Sequence, residues 1–196
     1  MDDGEYSYAN GFNIKASIKT NDLFGIILVY PKVENIGTEG ATPDNSLTAW
    51  DRKKVLDEIN LTVISEIIDE LESVHKKNSK IYIIGNGGSA ATASHMANDL
   101  SVGLKLREIR NFNVESLSDN SSVCTAIAND IGYENIFYAQ LKNKLKKDDV
   151  LIAISCSGNS LNIVKAVEYA KIVGTTVIGM TVSGKSTAFL RAMIGK

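Results

Sequence analysis

Between residues 80 and 181, short apolar segments alternate with amphipathic helical patterns, and this alternation restricts the possible folds more than any other feature. The apolar segments are rich in β-branched residues, which predicts strands that are buried on both faces. Such strands, when helices separate them, form parallel sheets with right-handed crossovers. We therefore expect an α/β fold, a three-layer α/β/α sandwich around a parallel sheet. The predicted strands are 80–84, 112–117, 150–155 and 175–181, and the predicted helices are 89–104, 120–129, 133–145 and 161–173.

The first 47 residues differ from the rest in composition. Both prolines of the chain fall here among Gly, Asn and Thr, and the only strand-like run is 24–30. We expect residues 1–47 to form an atypical N-terminal extension and residues 48–196 to form one domain. Thr48 is a candidate N-cap for a helix that continues to about Lys77. Its apolar residues recur at near-helical spacing and are Val55, Ile59, Val63, Ile67 and Leu71.

Charge and cysteine content limit the partners of the chain. The 21 basic and 23 acidic residues give a formal net charge of -2, so no global basic field could hold nucleic acid or an anionic membrane. The apolar run 23–30 is far shorter than the roughly 20 residues that span a bilayer. Cys124 and Cys156 lack CxxC spacing, which suits a reducing compartment. We expect a cytoplasmic protein with neither a nucleic-acid nor a membrane partner.

The loop 85–90 has the sequence Gly-Asn-Gly-Gly-Ser-Ala and joins a predicted strand to a predicted helix. Its glycines permit positive φ and allow the backbone to approach a ligand closely. The helix that follows offers unpaired N–H groups and a partial positive charge. Because ligands of parallel sheets bind beyond the carboxyl ends of the strands, this loop predicts an anion site. A plain tight turn is the alternative interpretation.

The loop 155–160 has the sequence Ser-Cys-Ser-Gly-Asn-Ser and also joins a strand to a helix. Three hydroxyls and a helix start provide neutral donors, which suit a phosphate monoester that must be released again. The alternative is that Ser157 or Ser160 only caps the helix.

Two nucleotide-binding patterns also occur. Gly85, Gly87 and Ala90 match G-x-G-x-x-A, but Glu108 lies before the second strand rather than at its end. Residues 179–186 match the Walker A pattern, yet only ten residues follow them, and the strand that supplies the Mg²⁺-binding Asp normally comes after this motif. We expect no nucleotide cofactor.

Four motifs in a fixed order carry a family resemblance. They are GNGGSA at 85–90, HMAND at 95–99, ANDIGY at 128–133 and ISCSGNS at 154–160. This set resembles the sugar isomerase (SIS) domain, and most closely the bacterial phosphoheptose isomerases, over about residues 48–181. The resemblance implies a flavodoxin-like SIS domain over 48–196 and a homotetramer with sites between subunits. It also implies conversion of sedoheptulose 7-phosphate to D-glycero-D-manno-heptose 7-phosphate for lipopolysaccharide biosynthesis.

The resemblance assigns the substrate contacts residue by residue. Phosphate and sugar contacts fall on Asn86, Gly87, Gly88, Ser89, Asn129, Asp130, Ser155, Cys156, Ser157 and Ser160. Relatives often carry Thr at the position of Cys156. We expect this change to be tolerated because backbone N–H donors remain.

The catalytic assignment falls on one predicted helix. Aldose–ketose isomerisation through an enediol needs a carboxylate base and a nearby acid. Asp99 stands where the family carries its catalytic Glu, and His95 lies four residues earlier on the same face. In relatives the equivalent pair can also ligate Zn²⁺, so we expect His95 and Asp99 to be candidate zinc ligands.

Two departures from the family pattern concern activity. Asp is shorter than Glu by roughly 1.5 Å, and a misplacement of that size can cost about a hundredfold in rate. The family's remaining acid/base and metal ligands, a Gln and a His, lie on a C-terminal helix that we do not expect before Lys196. The alternative function is therefore a noncatalytic SIS module that binds a phosphosugar or a protein partner.

Overall fold

The computed structural model describes residues 61–181 together with the backbone of residues 25–29. The strands are β1 (Gly25–Val29), β2 (Lys80–Gly85), β3 (Asn113–Ser116), β4 (Val150–Ile154) and β5 (Thr176–Thr181). The helices are α1 (Leu61–Lys76), α2 (Gly88–Asn98), α3 (Leu104–Leu106), α4 (Ser121–Ile131), α5 (Ile136–Leu141) and α6 (Leu161–Val173). A π-helical segment, Asp99–Gly103, joins α2 to α3, and a 3₁₀ turn, Tyr133–Asn135, precedes α5.

All strand pairs in the sheet are parallel, and the order is β1-β5-β4-β2-β3. After β2 the chain adds β3 on one side of it and then crosses back to add β4 on the other side. The direction in which successive strands are added to the sheet therefore reverses between β2 and β4. In a parallel sheet this reversal opens a crevice at the carboxyl ends of the two strands. The loops after β2 and β4 must therefore meet at one place.

The central strands bury side chains on both faces, as the sequence predicts. On one face, Tyr82 and Leu151 pack with α4, α5 and α6. On the other, Ile83 and Ile152 pack with α1 and α2. Because residues alternate in direction along each strand, the two apolar layers separate cleanly. The predicted α/β/α sandwich with a parallel sheet is confirmed.

The structure differs from the predicted elements at two places, and it gives the strand-like run 24–30 a place in the sheet. The prediction of a helix over 133–145 is wrong at its C-terminal end, because α5 ends at Leu141. Asn143 has a φ of 61°, which is a left-handed conformation that a helix cannot contain. The helix predicted over 89–104 contains the π-helical segment that begins at Asp99. The run predicted as a strand within the N-terminal extension is β1, which pairs with β5 at the sheet edge.

Several predictions lie wholly or partly outside the described residues. The start of the long helix at Thr48 and the Walker A match after Thr181 are two of them. The boundary between residues 47 and 48 also stays a prediction. Among the helices of the described part, none combines the length and the apolarity that a membrane crossing requires.

Candidate functional site

Two loops enclose a pocket of about 550 Å³ at the edge where the strands end. The glycine loop (85–90) follows β2 and the serine loop (155–160) follows β4, and these strands are neighbours with Gly85 opposite Ile154. Of the predicted contact residues, those that line the pocket are Asn86, Gly88, Ser89, Ser155, Cys156, Ser157 and Ser160. Ser89 Oγ lies 3.9 Å from Cys156 Sγ. The structure thus brings the two predicted loops together.

The glycine loop holds its shape because two positions exclude a side chain. A Cβ on Gly85 would lie 2.5 Å from the backbone oxygen of Ser89, so only glycine allows α2 to begin this close to β2. Gly87 has a φ of 54° and a ψ of -120°, a conformation that L side chains rarely adopt. No side chain caps the start of α2. The N–H groups of Ser89 and Ala90 donate instead to the carbonyl oxygens of Asn86 and Gly87, both at 3.0 Å, so the start of α2 offers the pocket mainly the partial positive charge of its N-terminus.

The serine loop does not cap α6 with a hydroxyl. Ser160 occupies the N-cap position but makes no side-chain cap hydrogen bond. The Ser157 hydroxyl accepts a hydrogen bond from Asn159 N at 3.3 Å, within the loop. Ser155 is buried, and its hydroxyl accepts from Gly158 N at 3.2 Å. Capping alone consequently does not explain the serines of this loop.

A pair of side-chain amides ties the glycine loop to the start of α6. Asn86 Nδ2 donates to Asn162 Oδ1 at 2.9 Å, and Asn162 Nδ2 donates to Asn86 Oδ1 at 2.9 Å. The Tyr133 hydroxyl also donates to Asn86 Oδ1, at 3.0 Å. Asn162 is 2% exposed, so this pair is largely shielded from water. Tyr133 extends the link to the segment that follows α4.

The loop after β3 contacts both α2 and the glycine loop. The carboxylate of Asp119 accepts hydrogen bonds from the hydroxyls of Ser94 on α2 and Ser116 on β3. Ser118 Oγ donates to the carbonyl oxygen of Gly85 at 2.9 Å. These bonds orient the first two turns of α2 relative to the sheet.

His95 lies in the last turn of α2 and Asp99 begins the π-helical segment that follows, and both lie outside the pocket lining. His95 Nε2 is 3.2 Å from Asp99 Oδ2, and the two side chains are 78% and 56% exposed. Thr92, which lines the pocket, lies on the same face of α2. Asp99 lies about 10 Å further along the helix axis than Thr92. A ligand anchored in the pocket would have to extend along α2 to reach the pair.

Asn129 and Asp130 lie on the last turn of α4, exposed and outside the pocket lining, with Asn129 Nδ2 donating to Asp130 Oδ1 at 2.9 Å. Gly87 lies between pocket residues but does not itself line the pocket. The roles of these residues in substrate contact stay predictions.

The described residues do not complete a metal site. Within 25–29 and 61–181 there is no group of three or more His, Cys, Asp and Glu side chains that could hold a metal ion. A catalytic zinc normally takes three protein ligands, and His95 with Asp99 supplies two. Further ligands would have to come from outside these residues.

The charged groups on the opposite side of the fold serve structure. Burial by itself raises the pKa of Glu115, but hydrogen bonds and charge from Lys144 and Lys80 outweigh it and lower that pKa below its ordinary value. Burial, with the charges of Asp149 and Glu115, raises the pKa of Tyr82 to about 12. These side chains link β2 and β3 at a place that is distant from the pocket.

Glu108 lies before β3, in the turn that follows α3, and therefore near the edge where the strands begin. It is not among the residues that line the pocket. This placement argues against the dinucleotide pattern as the function of the glycine loop.

The sequence motifs missed several pocket residues and their supports. Thr92 follows Ser89 by one helical turn, a spacing that could have indicated it. Three other lining residues lie at the carboxyl ends of strands: Ile154 at the end of β4, and Met180 and Thr181 at the end of β5. Their position could have indicated them, because ligands of parallel sheets bind at this edge. The only feature of the sequence that could have indicated Asn162 as a support of the pocket is that it is a polar residue in a largely apolar helix.

The fold and the pocket together define an α/β domain that binds its ligand at the carboxyl edge of a parallel sheet. A model of the SIS domain family matches residues 51–182, more than half of the chain, and the chain therefore belongs to the SIS domain family.

Curated relatives carry the same family relationship. A phosphoheptose isomerase of Helicobacter pylori (strain P12) is 46% identical over 114 residues, which cover 58% of this chain and 57% of that protein. A probable phosphoheptose isomerase of Thermoplasma acidophilum is 35% identical over 150 residues, covering 73% of this chain and 81% of that protein. The chain spans less than two thirds of the Helicobacter relative.

A solved structure of a phosphoheptose isomerase from Neisseria gonorrhoeae superposes with a TM-score of 0.59. It is 32% identical to this chain, and the match covers 66% of each chain. This similarity supports the same assignment to the family and agrees with the α/β/α architecture.

Proposed function

We propose that this chain is a phosphosugar isomerase that interconverts sedoheptulose 7-phosphate and D-glycero-D-manno-heptose 7-phosphate by enediol proton transfer. The observation that carries the proposal is the meeting of the glycine and serine loops in one pocket, in a chain of the SIS domain family. The names of the relatives support the substrate class.

The pocket suits the phosphate end of the substrate. Ser89, Ser157 and Ser160 line it with hydroxyl donors, and the N-terminal ends of α2 and α6 lie beside it with their partial positive charge. Such neutral donors bind an anion without a permanent positive charge. A phosphate bound this way would direct the sugar along α2.

The reacting carbons would then lie near His95 and Asp99. An aldose–ketose isomerase removes a proton from the carbon next to the carbonyl and returns it to the neighbouring carbon. We assign proton removal and return to the Asp99 carboxylate and polarisation of the carbonyl oxygen to His95. The contact of 3.2 Å between the two side chains supports their action as a unit.

The test is incubation of the purified chain with sedoheptulose 7-phosphate in ²H₂O, followed by NMR. An active isomerase forms the aldose, and because its base exchanges the proton with solvent, deuterium appears on the carbon that receives the proton. Parallel samples with added Zn²⁺ and with a chelator test our proposal that His95 and Asp99 are zinc ligands. Absence of both product and exchange in all samples would refute the isomerase proposal.

The noncatalytic alternative rests on the exposure of His95 and Asp99 and their place outside the pocket lining. Saturable binding of sedoheptulose 7-phosphate in calorimetry without turnover would favour that alternative.

Assembly and location are separate proposals taken from the family resemblance. We propose a cytoplasmic homotetramer in which residues 48–196 form the SIS domain. Light scattering coupled to size exclusion measures the oligomeric mass. A monomer that turns over substrate would refute the tetramer without affecting the isomerase proposal.

A further inference from the structure

Asn162 is a buried polar residue at the second position of α6, and no motif of the sequence includes it. Its amide bonds reciprocally with that of Asn86, which lies 76 positions earlier and lines the pocket. A buried amide that makes such a pair has a specific structural purpose, because burial of an unsatisfied amide is costly.

A backbone donor sets the orientation of this pair. Ile163 N–H donates to the carbonyl oxygen of Ser160 at 3.0 Å and also to Asn162 Oδ1 at 2.9 Å. Since a backbone N–H can only donate, the atom it contacts must be the oxygen of the Asn162 amide. The Nδ2 group of Asn162 then faces Asn86 Oδ1, and Asn86 Nδ2 faces Asn162 Oδ1. The start of α6 therefore determines which way the Asn86 amide points.

Tyr133 reinforces this orientation from the other side. Its hydroxyl is a second donor to Asn86 Oδ1, at 3.0 Å. The oxygen of Asn86 thus accepts two hydrogen bonds, which matches its two lone pairs. The Nδ2 group has a second N–H with no acceptor among the described residues. Asn86 consequently offers the pocket a donor rather than an acceptor, as an oxyanion requires.

We propose that Asn162 and Tyr133 are positioning residues that hold the Asn86 amide with its free N–H directed to a phosphoryl or sugar oxygen. This inference rests on the proposed function for its ligand class, a sugar phosphate. Neither residue touches the ligand in this scheme. Both act through Asn86.

The first test is Tyr133→Phe, which removes one donor to Asn86 Oδ1 and leaves the ring. Because Tyr133 is 58% exposed, the variant should fold as the wild type does. We expect the Kd for sedoheptulose 7-phosphate, measured by calorimetry, to rise roughly threefold to tenfold. The control is Tyr169→Phe, which also loses one phenol hydrogen bond, the one from Asn143 N at 3.1 Å. It should bind as the wild type does.

The second test is Asn162→Asp. The carboxylate still accepts from Ile163 N but cannot donate to Asn86 Oδ1, and it adds a negative charge beside an anion pocket. We expect Kd to rise by about thirtyfold or more. Wild-type affinity in both Tyr133→Phe and Asn162→Asp would overturn the proposal.

A double-mutant cycle separates positioning from direct contact. In an Asn86→Ala background, Tyr133→Phe should have no further effect on Kd, because the group it orients is gone. An undiminished effect of Tyr133→Phe in that background would show that Tyr133 contacts the ligand itself, and would overturn the proposal.

Two readouts keep this test independent of turnover. The cycle can be measured with inorganic phosphate as the ligand. If the wild type binds phosphate but has no isomerase activity, the isomerase proposal is refuted. The double-mutant cycle still tests whether Tyr133 acts through Asn86. In the ligand-free protein, NMR should show that solvent exchange of the Asn86 Nδ2 protons is at least about tenfold faster in Asn162→Ala, which removes the acceptor of one Nδ2–H, than in the wild type. Unchanged exchange, or a wild type that binds neither probe, would overturn the inference.

Discussion

The substitution Gly85→Ala tests whether the contact between β2 and the start of α2 is as close as the structure has it. The new Cβ would lie 2.5 Å from the oxygen, 2.6 Å from the carbonyl carbon and 2.9 Å from the Cβ of Ser89. Two of these atoms belong to the backbone and cannot rotate away. The first turn of α2 would have to shift by about 0.9 Å to restore ordinary contacts.

The expected loss of stability follows from that shift. Overpacking of this kind costs about 1–3 kcal/mol. The carbonyl of Gly85 also accepts the Ser118 hydroxyl at 2.9 Å, and loss of that bond adds about 1 kcal/mol. We therefore expect Gly85→Ala to lower the free energy of unfolding by about 2–4 kcal/mol.

Gly88→Ala is the matched control, because a Cβ there meets nothing within 4 Å. It should change stability by less than about 1 kcal/mol. Urea unfolding followed by circular dichroism measures both variants, provided that the m-value is unchanged. Equal midpoints for the two variants would show that the close approach at Gly85 does not exist.

Three further predictions concern charge and chemistry. Glu115→Gln should cost about 1 kcal/mol at pH 7, since the ion pairs with Lys80 and Lys144 are partly exposed. Because the folded-state pKa of Glu115 is lowered, this cost should disappear as the pH falls from about 4 through that pKa. A difference in thermal midpoint between the wild type and Glu115→Gln that stays constant over this pH range would contradict the prediction. The raised pKa of Tyr82, about 12, means that the wild type loses stability as the pH rises from about 10 towards 12, and Tyr82→Phe should lack this alkaline loss in the same melts. Asp99→Asn should lower kcat for sedoheptulose 7-phosphate at least about a hundredfold while Kd changes little; unaltered kcat would remove Asp99 from the proposed chemistry.

The layers of the sandwich could be predicted because the central strands bury both faces. Residues 80–84 and 150–154 contain almost only apolar side chains, and only a parallel sheet covered by helices explains such segments. The meeting of the two loops was predictable for a related reason. Loops that follow parallel strands leave the sheet at the same edge.

Other features depend on contacts between distant residues and could not be predicted from local pattern. The Asn86–Asn162 pair joins positions 76 apart, and neither residue has a periodicity that points to the other. The π-helical turn at Asp99 and the left-handed conformation of Asn143 depend on local packing, not on a recognisable motif. Whether His95 and Asp99 belong with the pocket depends on how a ligand lies along α2.

The position of β1 at the sheet edge has a consequence for synthesis of the protein. Gly25 pairs with Val177, so the strand that leaves the ribosome early waits for a partner about 150 residues later. Until that partner emerges, the edge of β1 is open to other extended chains. A nascent chain of this protein should therefore gain from a chaperone that covers β1 until β5 has emerged.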